Sequence, residues 1–319
     1  MDLILHLGAH RCATASFQAY VAGAAPRLRA QGTLAWTPAR TRAGLFDPLF
    51  EAGNNPSSRQ LAALYRLRQT LAMHLSAGAR AGAARLVISE PNLLGGRGAL
   101  ARRGRLYGDA AERLERLAQA LPCQPRRIGL SVRGYLGFWT SLLLRALRCG
   151  MPPPDRDRLD RLVTQPRRWS GLVLDIAHAF PRSEIVVWTF ERLAGAPDTV
   201  LEALCGPNAP PAPPPPPGGI WRARSPLLPL LRAELGGTGL GTDALPRGAG
   251  RWAPFDAAQA EALHTAYLED LRWLRRPPAR GIRSLETPPT GAPAAPPQRP
   301  RRTTRGDRHD RPEPEGKMG

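Results

Sequence analysis

Leu3-Ile4-Leu5-His6-Leu7-Gly8-Ala9-His10-Arg11-Cys12-Ala13-Thr14-Ala15-Ser16 joins a short apolar run to a glycine, a cation and two hydroxyl residues. An apolar run of this length suits a strand buried on both faces. The residues from Thr14 to about Arg29 suit a helix. A strand-to-helix turn points backbone N–H groups and the positive end of a helix at one spot, which favours phosphate or sulfate. Arg11 adds positive charge there, and Thr14 and Ser16 add hydroxyl donors. The pattern GxxxxGK[ST] is absent, so the turn is not a Walker A loop.

The same alternation continues along the chain. Arg85–Ser89 (RLVIS), Arg127–Val132 (RIGLSV) and Glu184–Trp188 (EIVVW) read as further buried strands. Between them, Leu61, Leu64, Leu67, Leu71 and Leu75 recur at helical spacing. Asp109 is placed to cap a helix carrying Leu114, Leu117 and Leu121. Helices are also expected at 135–147, 170–180, 198–204 and 256–275. Short apolar strands alternating with helices indicate an α/β fold with a three-layer, doubly wound and mostly parallel sheet.

The chain has 319 residues, enough for one medium α/β domain with a sizeable core. Its 35 prolines are about double the usual share, and most of the excess falls in 207–229 and 276–319. This separates a globular body, 1–275, from a Pro-rich insert, 207–229, and a Pro/Arg tail, 276–319, expected to be disordered. Asn208–Gly219 reads as a solvated polyproline loop, because proline lacks the N–H that helices and sheets need. The net charge is +19, carried almost wholly by arginine, since Lys317 is the single lysine. A basic body favours anionic partners without choosing among them.

Cys12, Cys123, Cys149 and Cys205 are widely spaced, with no CxxC pair, which argues against a zinc site or a disulfide scaffold. The first residues lack a basic, strongly apolar leader, and no apolar run is long enough to span a membrane. A cytoplasmic protein is expected.

A second motif stands after the 127–132 strand: Val132-Arg133-Gly134-Tyr135-Leu136-Gly137-Phe138-Trp139-Thr140-Ser141. A guanidinium offers paired N–H donors to phosphate oxygens, and a hydroxyl can add an O–H. Tyr135, Phe138 and Trp139 read as packing residues. Trp188-Thr189-Phe190-Glu191-Arg192-Leu193 follows the last of these strands. Ser89-Glu90-Pro91-Asn92 places a carboxylate at another strand end, where ligands of such sheets sit. The loop from Gly95 to Arg105 is glycine-rich and basic, either a solvated run or a lid.

Gly8, His10, Thr14, Ser16 and Gln18 match the strand–GxHKTGTTSLQ–helix opening of the bacterial sulfotransferase superfamily, which this chain resembles over about residues 1–205. Arg11, Ala13 and Ala15 depart from it, replacing Lys, Gly and Thr. Arg133 and Ser141 have the spacing of the family's 3′-phosphate pair. The segment at 188–193 is similar to the family's architectural aromatic-Glu-Asp-Leu stretch. The resemblance implies a P-loop-NTPase-like fold and a sulfotransferase that moves a sulfuryl group from 3′-phosphoadenosine 5′-phosphosulfate (PAPS) to a hydroxyl or amine of a small-molecule or carbohydrate acceptor. It implies that Gly8, Ala9, Arg11, Cys12, Ala13, Thr14, Ala15 and Ser16 hold the phosphosulfate and that Arg133 and Ser141 hold the 3′-phosphate. Glu90 is then the base for the acceptor proton, Arg11 counters charge on the leaving oxygen, His10 shapes the loop or carries a proton, and no metal is needed. One alternative, drawn from the three departures, is a catalytically inactive relative that still binds PAPS or its product PAP. A further alternative, drawn from charge alone, is a nucleic-acid-binding protein, although no DNA- or RNA-reading module is visible.

Overall fold

A computed structural model describes residues 1–53, 55–216, 225–236, 245–276 and 281–286. Six strands form one sheet: β1 (Asp2–Gly8), β2 (Thr33–Trp36), β3 (Arg85–Ser89), β4 (Arg127–Val132), β5 (Glu184–Thr189) and β6 (Ile282–Ser284). Their order is β2-β3-β1-β4-β5-β6, and every pairing is parallel. Parallel neighbours require crossovers, and the intervening helices cover both faces. Leu3, Leu5 and Leu7 of β1 face a large core with Leu64, Leu67 and Leu71 of the helix Ser58–Arg80 and most of the helix Tyr135–Leu147. Ile4 faces the opposite core, with Phe17, Tyr20 and Val21 of the helix Thr14–Gly23 and Val200, Leu201 and Leu204 of Pro197–Cys205. The fold is therefore α/β in three layers. No helix among the described residues is long and apolar enough to cross a membrane.

Several expectations need correction. The helix after the first turn ends at Gly23, and a separate helix runs Ala25–Ala30, with Pro26 near its start. Asp109 stands at the N-cap of Ala110–Ala120 but makes no side-chain cap, because its carboxylate pairs with Arg103. The basic loop at 95–105 holds a helix, Arg97–Arg103, anchored by buried Leu100 and Ala101. The described part of the polyproline segment is largely exposed, as expected, but it is pinned to the body at two points. Pro213 is buried, Tyr20 donates its hydroxyl hydrogen to the Pro213 carbonyl at 2.5 Å, and Gln31 donates to the Pro211 carbonyl. Residues 228 and 229 belong to the helix Leu228–Gly236, whose Leu228, Leu231 and Leu235 are buried. The remainder of the insert, 217–224, lies outside the described residues.

The boundary placed at 275 is also too early. Ile282, Arg283 and Ser284 pair with Ile185, Val186 and Val187, and Glu286 accepts from the Thr189 N–H at 3.0 Å and hydroxyl at 2.8 Å. The chain thus returns to the sheet after the helix Ala257–Arg275. The compact unit ends at Thr287. The tail expected to be disordered otherwise falls at 277–280 and 287–319, outside the described residues.

A buried carboxylate ties that helix to the site-bearing layer. Asp270 is 3% exposed and accepts from the backbone N–H groups of Trp169 (3.2 Å) and Ser170 (3.1 Å) and from the Tyr135 hydroxyl. The helix Trp169–Ala179 has no side-chain cap at its own N-cap residue, Arg168. Asp270 supplies the missing negative group from a distant part of the chain. Trp169 in turn donates from Nε1 to the carbonyl of Arg133 at 2.8 Å.

Candidate anion-binding site

The turn after β1 sits at the carboxyl end of the sheet, between the ends of β3 and β4. Gly8 has φ +97°, and a Cβ there would come within 3.1 Å of both the Pro91 Cβ and the Thr14 Oγ1. Only glycine suits that position. Arg11 (φ 61°) and Ala13 (φ 60°) are left-handed without being glycines. Such backbone is rare, and it clusters at ligand sites.

The loop is fastened by a few of its own polar groups. Ala9 donates its N–H to the Ser131 carbonyl at 3.1 Å. His10 donates its N–H to the Tyr107 hydroxyl at 2.9 Å. Thr14 donates its hydroxyl hydrogen to the Ala9 carbonyl at 2.7 Å, and Arg133 donates from Nη1 to the Arg11 carbonyl at 2.7 Å. The N–H groups of Arg11, Cys12, Ala13, Thr14 and Ala15 have no acceptor among the described residues. These N–H groups, at the start of a ten-residue helix with no side-chain cap, make an anion cradle.

The cradle opens into a cavity of about 700 Å³ lined by Arg11, Arg42, Arg97, Arg133 and Arg251, with no carboxylate in its described wall. Thr14, Ser16, Gln18, Thr140 and Ser141 add polar groups, and Phe190 and Trp252 add aromatic faces. Arg11 reaches over to donate from Nε to the Ser141 Oγ at 2.8 Å. Arg133 lies over the Phe190 ring, 4.1 Å from its centroid, a cation–π contact that holds the guanidinium flat. Burial and the neighbouring Arg133, Arg97 and Arg145 lower the Arg11 pKa to about 10. Burial also lowers that of Arg133. These cations destabilise one another until an anion arrives. Arg11 and the Arg133–Ser141 pair, named from two different motifs, thus lie in one cluster.

Glu90 does not join them. It is fully buried and is not part of the cavity wall. One oxygen accepts from the Thr41 hydroxyl at 2.6 Å and Arg42 Nε at 2.9 Å. The other accepts from Arg42 Nη2 at 2.6 Å and the Asn92 N–H at 2.9 Å. A carboxylate so engaged is a structural anchor for the turn after β3 and not a base open to an acceptor. The assignment of Glu90 as proton acceptor is corrected accordingly.

His10 touches the cavity, but both ring nitrogens are engaged, Nδ1 with the Tyr107 hydroxyl at 2.9 Å and Nε2 with the Asn92 Oδ1 at 3.0 Å. Asn92 Oδ1 can only accept, so Nε2 carries the hydrogen and Nδ1 accepts from Tyr107. This ring shapes the loop. Burial lowers the His10 pKa to about 4 and that of His6, bonded to Ser89 Oγ at 2.8 Å, to about 3. Burial raises the Cys12 pKa to about 12, so its part in the loop is its backbone N–H. Glu191 accepts from the Gly134 N–H at 3.0 Å and the Tyr267 hydroxyl at 2.8 Å, an architectural tie.

The two histidines give a prediction with a definite sign. Both rings are neutral in the fold, while in the unfolded chain they protonate near the ordinary 6.5. Stability is undiminished above that pH and falls below it, as the unfolded chain takes up the protons first. The urea midpoint is expected to drop steadily from about pH 6.5 toward pH 4, less steeply in His10→Asn. A flat profile, or an unchanged slope in His10→Asn, would refute neutral burial of this ring.

Tyr107, Arg42 and Arg251 were not legible as site residues. Tyr107 (φ 46°) is itself left-handed, and the two arginines stand in irregular segments without a motif. Comparison of the chain with protein-family models, with curated proteins and with solved structures finds no match.

Proposed function

We propose that the cavity binds PAPS or PAP and that its activity is sulfuryl transfer to a hydroxyl or amine. The observation that carries this reading is the convergence of the open N–H cradle at 11–15 with Arg11, Arg133 and Ser141 in one cavity. The cradle suits a compact tetrahedral anion. Arg133 and Ser141 suit a second one, held by charge-assisted hydrogen bonds. Transfer breaks the bond from sulfur to the bridging phosphate oxygen and forms one from sulfur to the acceptor oxygen or nitrogen; PAP leaves, and the acceptor proton passes to water. Charge then grows on the phosphate side, where the N–H cradle and Arg11 lie in wait with little reorganisation. No metal enters this scheme.

A second reading keeps the nucleotide and drops the transfer. The engagement of Glu90 and of both His10 nitrogens favours it, since neither offers a free base. Calorimetry with PAP against AMP tests the shared part. PAP should bind at least ~10-fold tighter, as a charged hydrogen bond is worth ~1.5–3 kcal/mol, and Arg133→Ala should erase the preference. Equal binding of PAP and AMP by the natural protein would refute both readings. A transfer assay from PAPS across hydroxyl and amine acceptors then separates them.

A further inference from the structure

The arginines of the cavity fall on two sides of the central strand. Arg133 follows β4 and Phe190 follows β5, on one side of β1. On the other, Pro91 follows β3, Arg42 is tied to Glu90 at the end of β3, and Arg97 opens the helix Arg97–Arg103 shortly after. The proposed nucleotide is accounted for by the cradle and the β4 side. Arg42 and Arg97 are in excess of it.

Arg42 is paired with Glu90, which leaves Arg97 as the cation of this wall with no carboxylate partner among the described residues. Burial lowers the Arg97 pKa most, Arg145 and Arg42 lower it further as like charges, and Cys149 and Glu90 act in the opposite direction. Glu90 is already held by Arg42 through two donors. Neither Arg97 nor Arg145 makes an ion pair or a side-chain hydrogen bond with a described residue. A neutral acceptor would have to sit against this surplus without neutralising it. An acidic one would neutralise it with charge-assisted bonds.

We infer that the β3 side of the cavity is a second anion subsite, formed by Arg97 and Arg42, and that it takes an acceptor bearing a sulfate ester, carboxylate or phosphate. The inference rests on the nucleotide reading for the word acceptor, but the subsite itself does not. The shape of the recognition follows from the residues. Arg97 has its full fork of N–H donors to offer, and Arg42, pinned by Glu90, presents its remaining N–H groups from a fixed position.

The test uses the whole chain saturated with PAP, titrated with glucose 6-sulfate and with glucose. Glucose 6-sulfate should bind at least ~10-fold tighter than glucose. Arg97→Ala removes a cation with no ion-pair partner among the described residues, so the fold should persist. It should bring glucose 6-sulfate down to the level of glucose and cost PAP much less than it costs the sulfate ester. No preference for the sulfate, or a preference intact in Arg97→Ala, overturns the subsite. An equal loss of PAP affinity in Arg97→Ala also overturns it, by assigning the arginine to the nucleotide. If the natural protein binds no PAP, the nucleotide reading fails by itself, and the same comparison on the free chain still decides the subsite.

Discussion

Asp270→Ala is expected to lower the unfolding free energy by on the order of 2–4 kcal/mol, because the Tyr135 hydroxyl and the Ser170 N–H lose their acceptor and the Trp169 N–H keeps only the Tyr135 oxygen, at 2.8 Å. The helix Trp169–Ala179 would also lose the negative group at its positive end. In a domain of this size that loss should lower the melting temperature by roughly 5 °C. Asp270→Asn keeps one acceptor oxygen and should fall between the two. The consequence reaches the cavity, since Trp169 also holds the Arg133 carbonyl. Urea unfolding of the three proteins measures the effect. A loss in Asp270→Ala of under about 1 kcal/mol, ordinary for an exposed residue, would mean that the cap is not formed.

Removing residues 277–319 should destabilise the protein by on the order of 3–4 kcal/mol, whereas removing only 288–319 should leave it within ~0.5 kcal/mol. The larger deletion takes β6 with it. Ile282 loses its burial, the outer edge of β5 loses its partner, and Thr189 loses Glu286. Arg192 loses the Leu285 carbonyl, and Glu184 loses one of its two arginines, Arg283. Burying one large aliphatic side chain contributes about 1.5–3 kcal/mol, and each net hydrogen bond about 0.5–1.5. Thermal melts of the two truncated chains beside the full one decide the matter. Equal melting temperatures for both deletions would show that β6 contributes nothing to the sheet.

What sequence revealed of this fold depended on where each strand lies. β1, β3, β4 and β5 are flanked on both sides and buried on both faces, so each appears as an apolar run. β2 and β6 are the edges. Thr33-Leu34-Ala35-Trp36 is mostly half-covered, and Ile282-Arg283-Ser284 has one buried side chain, so no apolar run marks either. In the site, Gly8 and Arg11 could be placed from the strand-to-helix turn, and Arg133 and Ser141 from the spacing that the resemblance supplied. The engagement of Glu90 could not. Its partners Thr41 and Arg42 lie in an irregular turn, and nothing local distinguishes Arg42 among so many arginines. A carboxylate at a strand end looks the same in sequence whether it is open to a ligand or enclosed by four donors.

The late position of β6 bears on how the chain is made. The strands that carry the cavity are complete once Thr189 has left the ribosome, but the outer edge of β5 stays uncovered until Ile282–Ser284 follow. In that interval Glu184-Ile185-Val186-Val187-Trp188-Thr189 presents a row of unpaired backbone groups on a strongly apolar strand. An open edge of this kind templates pairing with another chain. A message cut short, or a nascent chain stalled, after the Ala257–Arg275 helix would release a nearly finished domain with that edge exposed. Such products should self-associate through β5, and a peptide of the 281–286 sequence should compete with that association.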